Sequence, residues 1–305
     1  MSDANVPQTF HMVASDLDGT LLQSNHTMTD ETADYLRELE AKGFHIMIAT
    51  GRSATTVYDH ILRLHPLTRP LPVVCSNGAR GLLCRIGTSS DNDNKNGTVL
   101  VDEVFSTPVP LNVALRTMAL AKKLGHVTQY YVGETIYANP SHASHLVLTK
   151  LYQELTGCTT AFVDDDFQQA MEEGLPSKML VLCPPEQQDD MMTEFYREFD
   201  KVTATIICGS MGWFLEVLHP EVCKGHGLAR MCEHLNVDIN RVVAFGDADN
   251  DLEFIQQAGR GIVMKNGRDV VKQVADEVLD WTNDEEGVRK SLQRMHENGQ
   301  LVFQR

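Results

Sequence analysis

The most constraining feature of the sequence is a pair of short apolar segments, far apart in the chain, that each run directly into a cluster of carboxylates. Residues 12–14 lead into Asp16-Leu17-Asp18-Gly19-Thr20, and residues 242–245 lead into Gly246-Asp247-Ala248-Asp249-Asn250-Asp251. A short, wholly apolar run bounded by a loop reads as a buried strand. In open α/β sheets, ligands sit outside the carboxyl ends of such strands. Both clusters are therefore expected to serve one shared site.

The surrounding pattern fits that geometry. Thr29 is placed to cap a helix with Asp30 and Glu31 in its first turn, Tyr35, Leu36 and Leu39 on one face, and Gly43 as its stop. A strand at 44–49, a helix at 55–64 and an apolar segment at 72–75 follow, the rhythm of a parallel sheet with crossover helices. After Leu83 the pattern changes. A polar tract at 87–97 reads as an exposed loop. Beyond it come a helix at 110–124, a hairpin over 127–137 turning near Gly133, helices at 142–155 and 187–199, and strands at 178–183, 202–208 and 213–218. The first rhythm returns with a helix at 224–235, the strand at 242–245, a helix from Asp249 and a strand near Ile262. The expectation is a doubly wound parallel-sheet α/β core formed by residues 1–82 plus 219–305, with an inserted α/β domain at 83–218.

Composition narrows the function classes. A formal charge of −16, with no concentrated run of Lys and Arg, disfavours nucleic acid as a partner. That same charge would repel a phosphate ester unless a metal or a lysine inverts the local field. Seven cysteines without CxxC spacing argue against a zinc site or a disulfide framework and fit a reducing compartment. Nowhere do eighteen apolar residues run together, so no membrane span is expected and a cytoplasmic location fits best.

Asp16 and Asp18 are two residues apart at a strand terminus, where extended backbone directs both carboxylates to one side. Taken alone, such a DxDG is also an ordinary turn, and an acidic stretch such as 247–251 is also a helix start favoured by the dipole. Together they make a costly concentration of charge. Two unit charges at ~4 Å repel by ~4 kcal/mol at an effective dielectric near ~20. Magnesium, which takes carboxylate oxygens, water and substrate phosphate as ligands, would relieve it. Lys224, followed by Gly225 at a helix start, is placed to meet a phosphoryl group. Thr50-Gly51-Arg52, after the second strand, offers a hydroxyl and amides to phosphate oxygens. Cys223 beside Lys224 reads as a small packed side chain rather than a reactive thiol.

Five segments in order, SDLDGTLL at 15–22, ATGR at 49–52, SNGA at 76–79, CKGHGL at 223–228 and GDADNDLEFI at 246–255, resemble the haloacid dehalogenase superfamily, in particular its Cof-type phosphatases (type IIB) with a large α/β cap. The stretch 261–267, ending in Asn266-Gly267, and Ala275-Asp276 also resemble the tail of that group. Cys223 and Ala248 stand where Ser or Thr and Gly are more usual.

The resemblance implies a magnesium-dependent phosphatase acting on small phosphate esters, sugar phosphates by default, through an aspartyl-phosphate. Asp16 would be the nucleophile and Asp18 the general acid and base, its pKa raised by neighbouring negative charge. Asp16, Asp247 and the backbone carbonyl of Asp18 would hold Mg2+, with Asn250 and Asp251 completing or orienting the shell. Thr50 and Lys224 would bind the phosphoryl group, Asn77 would touch phosphate or leaving group, and Gly51, Arg52 and Asn250 would line the same site. Two rivals remain on these residues, a sugar-phosphate mutase resembling phosphomannomutase and a non-catalytic phospho-ligand sensor. The natural substrate and the oligomeric state are not written in the sequence.

Overall fold

The computed structural model of the protein describes residues 8–87, 98–164, 166–208 and 212–303. These fall into two compact units. One comprises the residues up to Arg52, Val57–Phe105 and those from Cys223 onward; the other comprises Ser53–Thr56 and Ser106–Val222.

The first unit is built on an eight-stranded sheet in the order Glu277–Val278, Arg260–Val263, Val242–Gly246, Met12–Ser15, His45–Ala49, Leu71–Cys75, Arg80–Gly87, Thr98–Ser106. Met12–Ser15 pairs in parallel with Val242–Gly246 on one side and His45–Ala49 on the other, so Ala14 faces both Ala244 and Met47. The chain therefore winds outward in both directions from its first strand. This is the switch-point topology that opens a crevice at the carboxyl ends, where both acidic clusters lie.

Helices cover the sheet as the apolar spacing requires. Asp30–Ala41 is capped by the Thr29 hydroxyl, which accepts from the Thr32 N–H, and it buries Ala33, Leu36 and Leu39 while Tyr35 is half-buried. Lys224–Leu235 lays Leu228 and Met231 against Met12, Ala14, Met47 and Val74, each large side chain contributing about 1.5–3 kcal/mol of burial.

The structure corrects the expected boundary at Leu83. Ser76 and Asn77 adopt left-handed backbone, φ +51° and +56°, followed by Gly78 at φ +105°. This tight reversal sends Arg80–Gly87 back antiparallel to Leu71–Cys75, with Leu71 opposite Cys84. Thr98–Ser106 then forms the next strand of the same sheet. Residues 83–87 and 98–105 thus extend the first sheet, and 219–222 group with the second unit. The polar tract that suggested the boundary lies, from residue 88 to 97, outside the described residues.

The helix Gly287–Glu297 follows Glu286, a residue at φ +58° whose carboxylate accepts from the hydroxyls of Thr29 and Thr32 and from Arg289. The Arg289 bond and the two hydroxyls hold the carboxyl down at about 2, against an ordinary 4.5. A depressed carboxylate stabilises the fold fully above the unfolded value and loses that contribution as pH falls through the folded one. Glu286→Gln is expected to cost about 1–2 kcal/mol at pH 7, measured by urea unfolding. The gap should narrow at pH 3; an undiminished gap there would contradict the linkage.

The second unit carries a six-stranded sheet in the order Thr205–Cys208, Phe214–Leu218, Lys178–Leu182, Val127–Val132, Thr135–Ala138, Ala161–Phe162, antiparallel apart from the final pair. The hairpin turns at Gly133, φ +53°, as the sequence suggests. Leu111–Leu124 and Gln188–Glu198 pack Val113, Ala121, Met191 and Phe195 onto Tyr130, Met179 and Val181. The expected strand at 202–208 is shorter, because Val202 lies in an exposed turn and pairing begins only at Thr205. Within this unit Lys178 and Glu216 form a buried ion pair at 2.6 Å.

Candidate active site

The ammonium of Lys224 organises the site. It is 1% exposed and donates to Asp16 Oδ1 at 2.6 Å and to Asp251 Oδ1 at 2.7 Å, with Asp251 itself fully buried. Burial acts to lower its pKa, but the two carboxylates outweigh burial and hold the amine above its ordinary value, favouring the charged form. Close packing at the start of its helix explains Gly225, where a Cβ would come within 2.7 Å of the Glu253 carbonyl oxygen.

Asp251 is a brace. Its Oδ2 accepts the backbone N–H groups of Asp247 and Ala248 at 2.9 and 3.0 Å while Oδ1 holds Lys224, so every part of the carboxylate is committed. Asp247 in turn accepts the Thr20 hydroxyl at 2.7 Å. Gly19, at φ +77°, is required in this approach, because a Cβ would stand 2.4 Å from Asp247 Oδ2. The motifs at 16–20 and 246–251 therefore meet.

Oxygens of Asp16, Asp247 and Asp251 lie within 4.8 Å of one another, the only such convergence of three or more His, Cys, Asp or Glu side chains among the described residues. Burial, reinforced by the neighbouring acids, pushes Asp16 well above its ordinary value despite Lys224. The same causes push Asp247 up to about 6 against the Thr20 bond. Three carboxylates and one ammonium leave an excess of two negative charges. An all-oxygen donor set with that excess, its oxygens gathered within 4.8 Å of one another, suits a small hard divalent cation.

Asp18 differs from its expectation. Burial pushes its carboxyl up, but Arg52 and His26 prevail and hold it below the ordinary range, so the anticipated raising by neighbouring charge does not occur. Arg52 grips both oxygens, Nε to Oδ2 at 2.7 Å and Nη2 to Oδ1 at 2.6 Å, and His26 Nδ1 lies 3.0 Å from Oδ1. Nothing in the sequence pattern singled out His26. Also unforeseen is His60, 3.4 Å from Arg52, whose imidazole is pushed towards its neutral form by burial and by that guanidinium.

Thr50 accepts the Arg52 N–H on its hydroxyl and receives the Asn77 N–H on its carbonyl. Gly51 lets the Asn77 side chain approach, since a Cβ would be 2.9 Å from Asn77 Oδ1. That oxygen accepts the Asn250 amide at 2.8 Å, which ties Asn250 to Asn77. Cys223 caps the Lys224 helix, accepting the His226 N–H, and burial pushes its thiol up, in keeping with a packed role.

A doubly wound sheet that gathers acids and a buried lysine at the carboxyl ends of its strands defines an α/β protein of the class that places a ligand site there. Residues 13–292 match the family model for haloacid dehalogenase-like hydrolases, and the chain belongs to that family, in the Cof-type branch its motifs resemble. It is 28% identical over 287 residues to the 5-amino-6-(5-phospho-D-ribitylamino)uracil phosphatase YitU of Bacillus subtilis, covering 92% of this chain and 96% of that one. A Haemophilus influenzae protein described as a phosphatase is 29% identical over 289 residues, covering 94% and 97%. Among solved structures, a haloacid dehalogenase-like hydrolase from Bacteroides thetaiotaomicron superposes with a TM-score of 0.77 at 21% identity, covering 94% of this chain and all of the other. The protein is a phosphatase, and no helix among its described residues is long and apolar enough to cross a membrane.

Proposed function

We propose that the protein hydrolyses small phosphate monoesters, sugar phosphates foremost, in a Mg2+-dependent reaction through an aspartyl-phosphate on Asp16. The observation that carries this reading is the single group formed by the buried Asp16, Lys224 and Asp251 with the half-buried Asp247. Asp16 and Asp247 would hold Mg2+ with Asp251 beside them, the Asp18 carbonyl and Asn250 completing the shell. The bound ion would neutralise phosphoryl oxygens and fix them for in-line attack.

The residues then have distinct tasks. Lys224, anchored by Asp251, restrains Asp16 and offsets charge on the phosphoryl group, to which Thr50 also donates. An Asp16 oxygen forms the new bond to phosphorus as the ester P–O bond breaks, and Asp18 gives its proton to the leaving alkoxide. Asp18 then takes a proton from water, which attacks phosphorus, releases inorganic phosphate and regenerates Asp16. Both Asp18 oxygens are held by Arg52 and His26 here, which favours the carboxylate, so Asp18 must give up these contacts and take a proton from solvent as substrate binds before it can donate to the leaving group. Arg52 would follow the phosphate or leaving group, beside Gly51 and Asn77.

The YitU relative acts on a phosphate ester of a ribityl chain, which supports a polyol or sugar phosphate as the substrate class. Seven cysteines without CxxC spacing, five of them buried, support a reducing, cytoplasmic setting. Incubation with p-nitrophenyl phosphate should release nitrophenol with Mg2+ and stop with EDTA. A panel of phosphometabolites, run without a bisphosphate activator, should then release inorganic phosphate and rank sugar phosphates first. Undiminished turnover after EDTA, or phosphate passed only to a sugar hydroxyl, would overturn the reading.

A further inference from the structure

Building on that reading of the site, we infer that the turn at residues 264–268 is a clasp that sets the separation of the two acidic loops, with Asn266 and Asn283 as positioning residues for the cation site. The loops touch where Gly19 lies against Asp247, a contact too close for any side chain at 19. Each is tied by its backbone to the same short turn. Met264 N–H donates to the Gly246 carbonyl at 3.1 Å and Arg268 N–H to the Asp247 carbonyl at 2.8 Å, while the Asn266 side-chain nitrogen donates to the Gly19 carbonyl at 2.7 Å.

Asn266 is itself oriented. Its Oδ1 accepts the Asn283 N–H at 3.0 Å, which turns its nitrogen towards Gly19. The buried Asn283 amide donates in addition to the Leu22 carbonyl at 2.9 Å, gripping the far end of the nucleophile loop. Gly267 lets the turn close, since a Cβ there would stand 2.5 Å from a Val263 methyl and 3.3 Å from the Asp247 carbonyl. One segment thus holds both loops from the backbone side without touching Asp16, Asp18 or Lys224.

The physical consequence follows from coordination chemistry. Ligand distances must hold to within about 0.2 Å, so a tie that fixes two loops relative to each other controls affinity without contacting the ion. Loss of such outer partners typically weakens a metal site by about 10–100-fold.

The test compares wild type and Asn266→Ala by two readouts: the Mg2+ concentration that half-saturates p-nitrophenyl phosphate hydrolysis, and the Mg2+ concentration that half-saturates the rise in melting temperature without substrate. Both are expected to rise about tenfold or more, with kcat at saturating Mg2+ and the metal-free melting temperature close to wild type. Half-saturation within about twofold of wild type in both would overturn the clasp, since ties that orient the ligands from behind act on affinity. Should Asn266→Ala fail to fold, Asn266→Leu, which keeps about the same size and removes the donor without adding charge, carries the same comparison. A wild-type protein with no Mg2+ response at all overturns the reading of the site, and the clasp with it.

Discussion

Asp16→Asn is expected to lower phosphatase turnover by on the order of 10⁴- to 10⁶-fold, with little change in folding. The scale follows from removing a covalent nucleophile, whose loss disables every later step of the reaction. Folding should survive because the amide oxygen can still accept from Lys224, whose ammonium keeps its second partner, Asp251. One carboxylate also leaves a crowded group in which burial and neighbouring acids already push Asp16 up. The measurement is nitrophenol release under saturating Mg2+, beside a thermal melt of the same preparation. A variant that stays folded and keeps more than about a hundredth of wild-type turnover would remove Asp16 from the nucleophile's role.

Lys224→Met should be the most damaging substitution for stability, about 3–5 kcal/mol at pH 8. Removing one partner of a buried ionic group leaves the other charges uncompensated, which costs far more than the pair contributes net. Here two buried carboxylates, Asp16 and Asp251, lose the only ammonium paired with them among the described residues. The deficit should depend on pH with a definite sign. A carboxyl whose folded pKa is raised above its unfolded value binds protons more readily in the folded state, so stability is recovered as pH falls. Asp16 is already raised, and loss of Lys224 raises it further. Urea unfolding at pH 8 and pH 5.5 should therefore show a smaller gap at the lower pH. A deficit below about 1 kcal/mol at both would mean that the site tolerates its carboxylates without the lysine.

Much of this arrangement was legible from local pattern. The strands at 12–15 and 242–246 announce themselves by the short apolar runs 12–14 and 242–245, and the Thr29 cap by its side chain ahead of Asp30 and Glu31. The acidic motifs are contiguous in sequence, and the family match over 13–292 agrees with the motifs quoted for it. The boundary at 83 was misplaced for an equally local reason. A change from parallel to antiparallel pairing needs only the left-handed turn at Ser76–Asn77, whereas a polar tract is the louder signal. The helix Gly287–Glu297 was not anticipated, although it presents Val288, Leu292 and Met295 as a buried stripe.

What the sequence determined by itself was the set of chemical groups and the strand ends that carry them: Asp16 and Asp18 after one strand, Asp247 and Asp251 after another, Lys224 at a helix start. What only the tertiary structure decided was their division of labour. Arg52 and His26, rather than the neighbouring acids, control the charge on Asp18, while Asn250 turns to Asn77, and Asn266 with Asn283 ties loops that are remote in sequence. Residue type and spacing along one strand are local quantities, fixed by backbone geometry. The field at a carboxylate depends on which charges from other segments come within a few ångströms of it, and that distance exists only once the chain has folded.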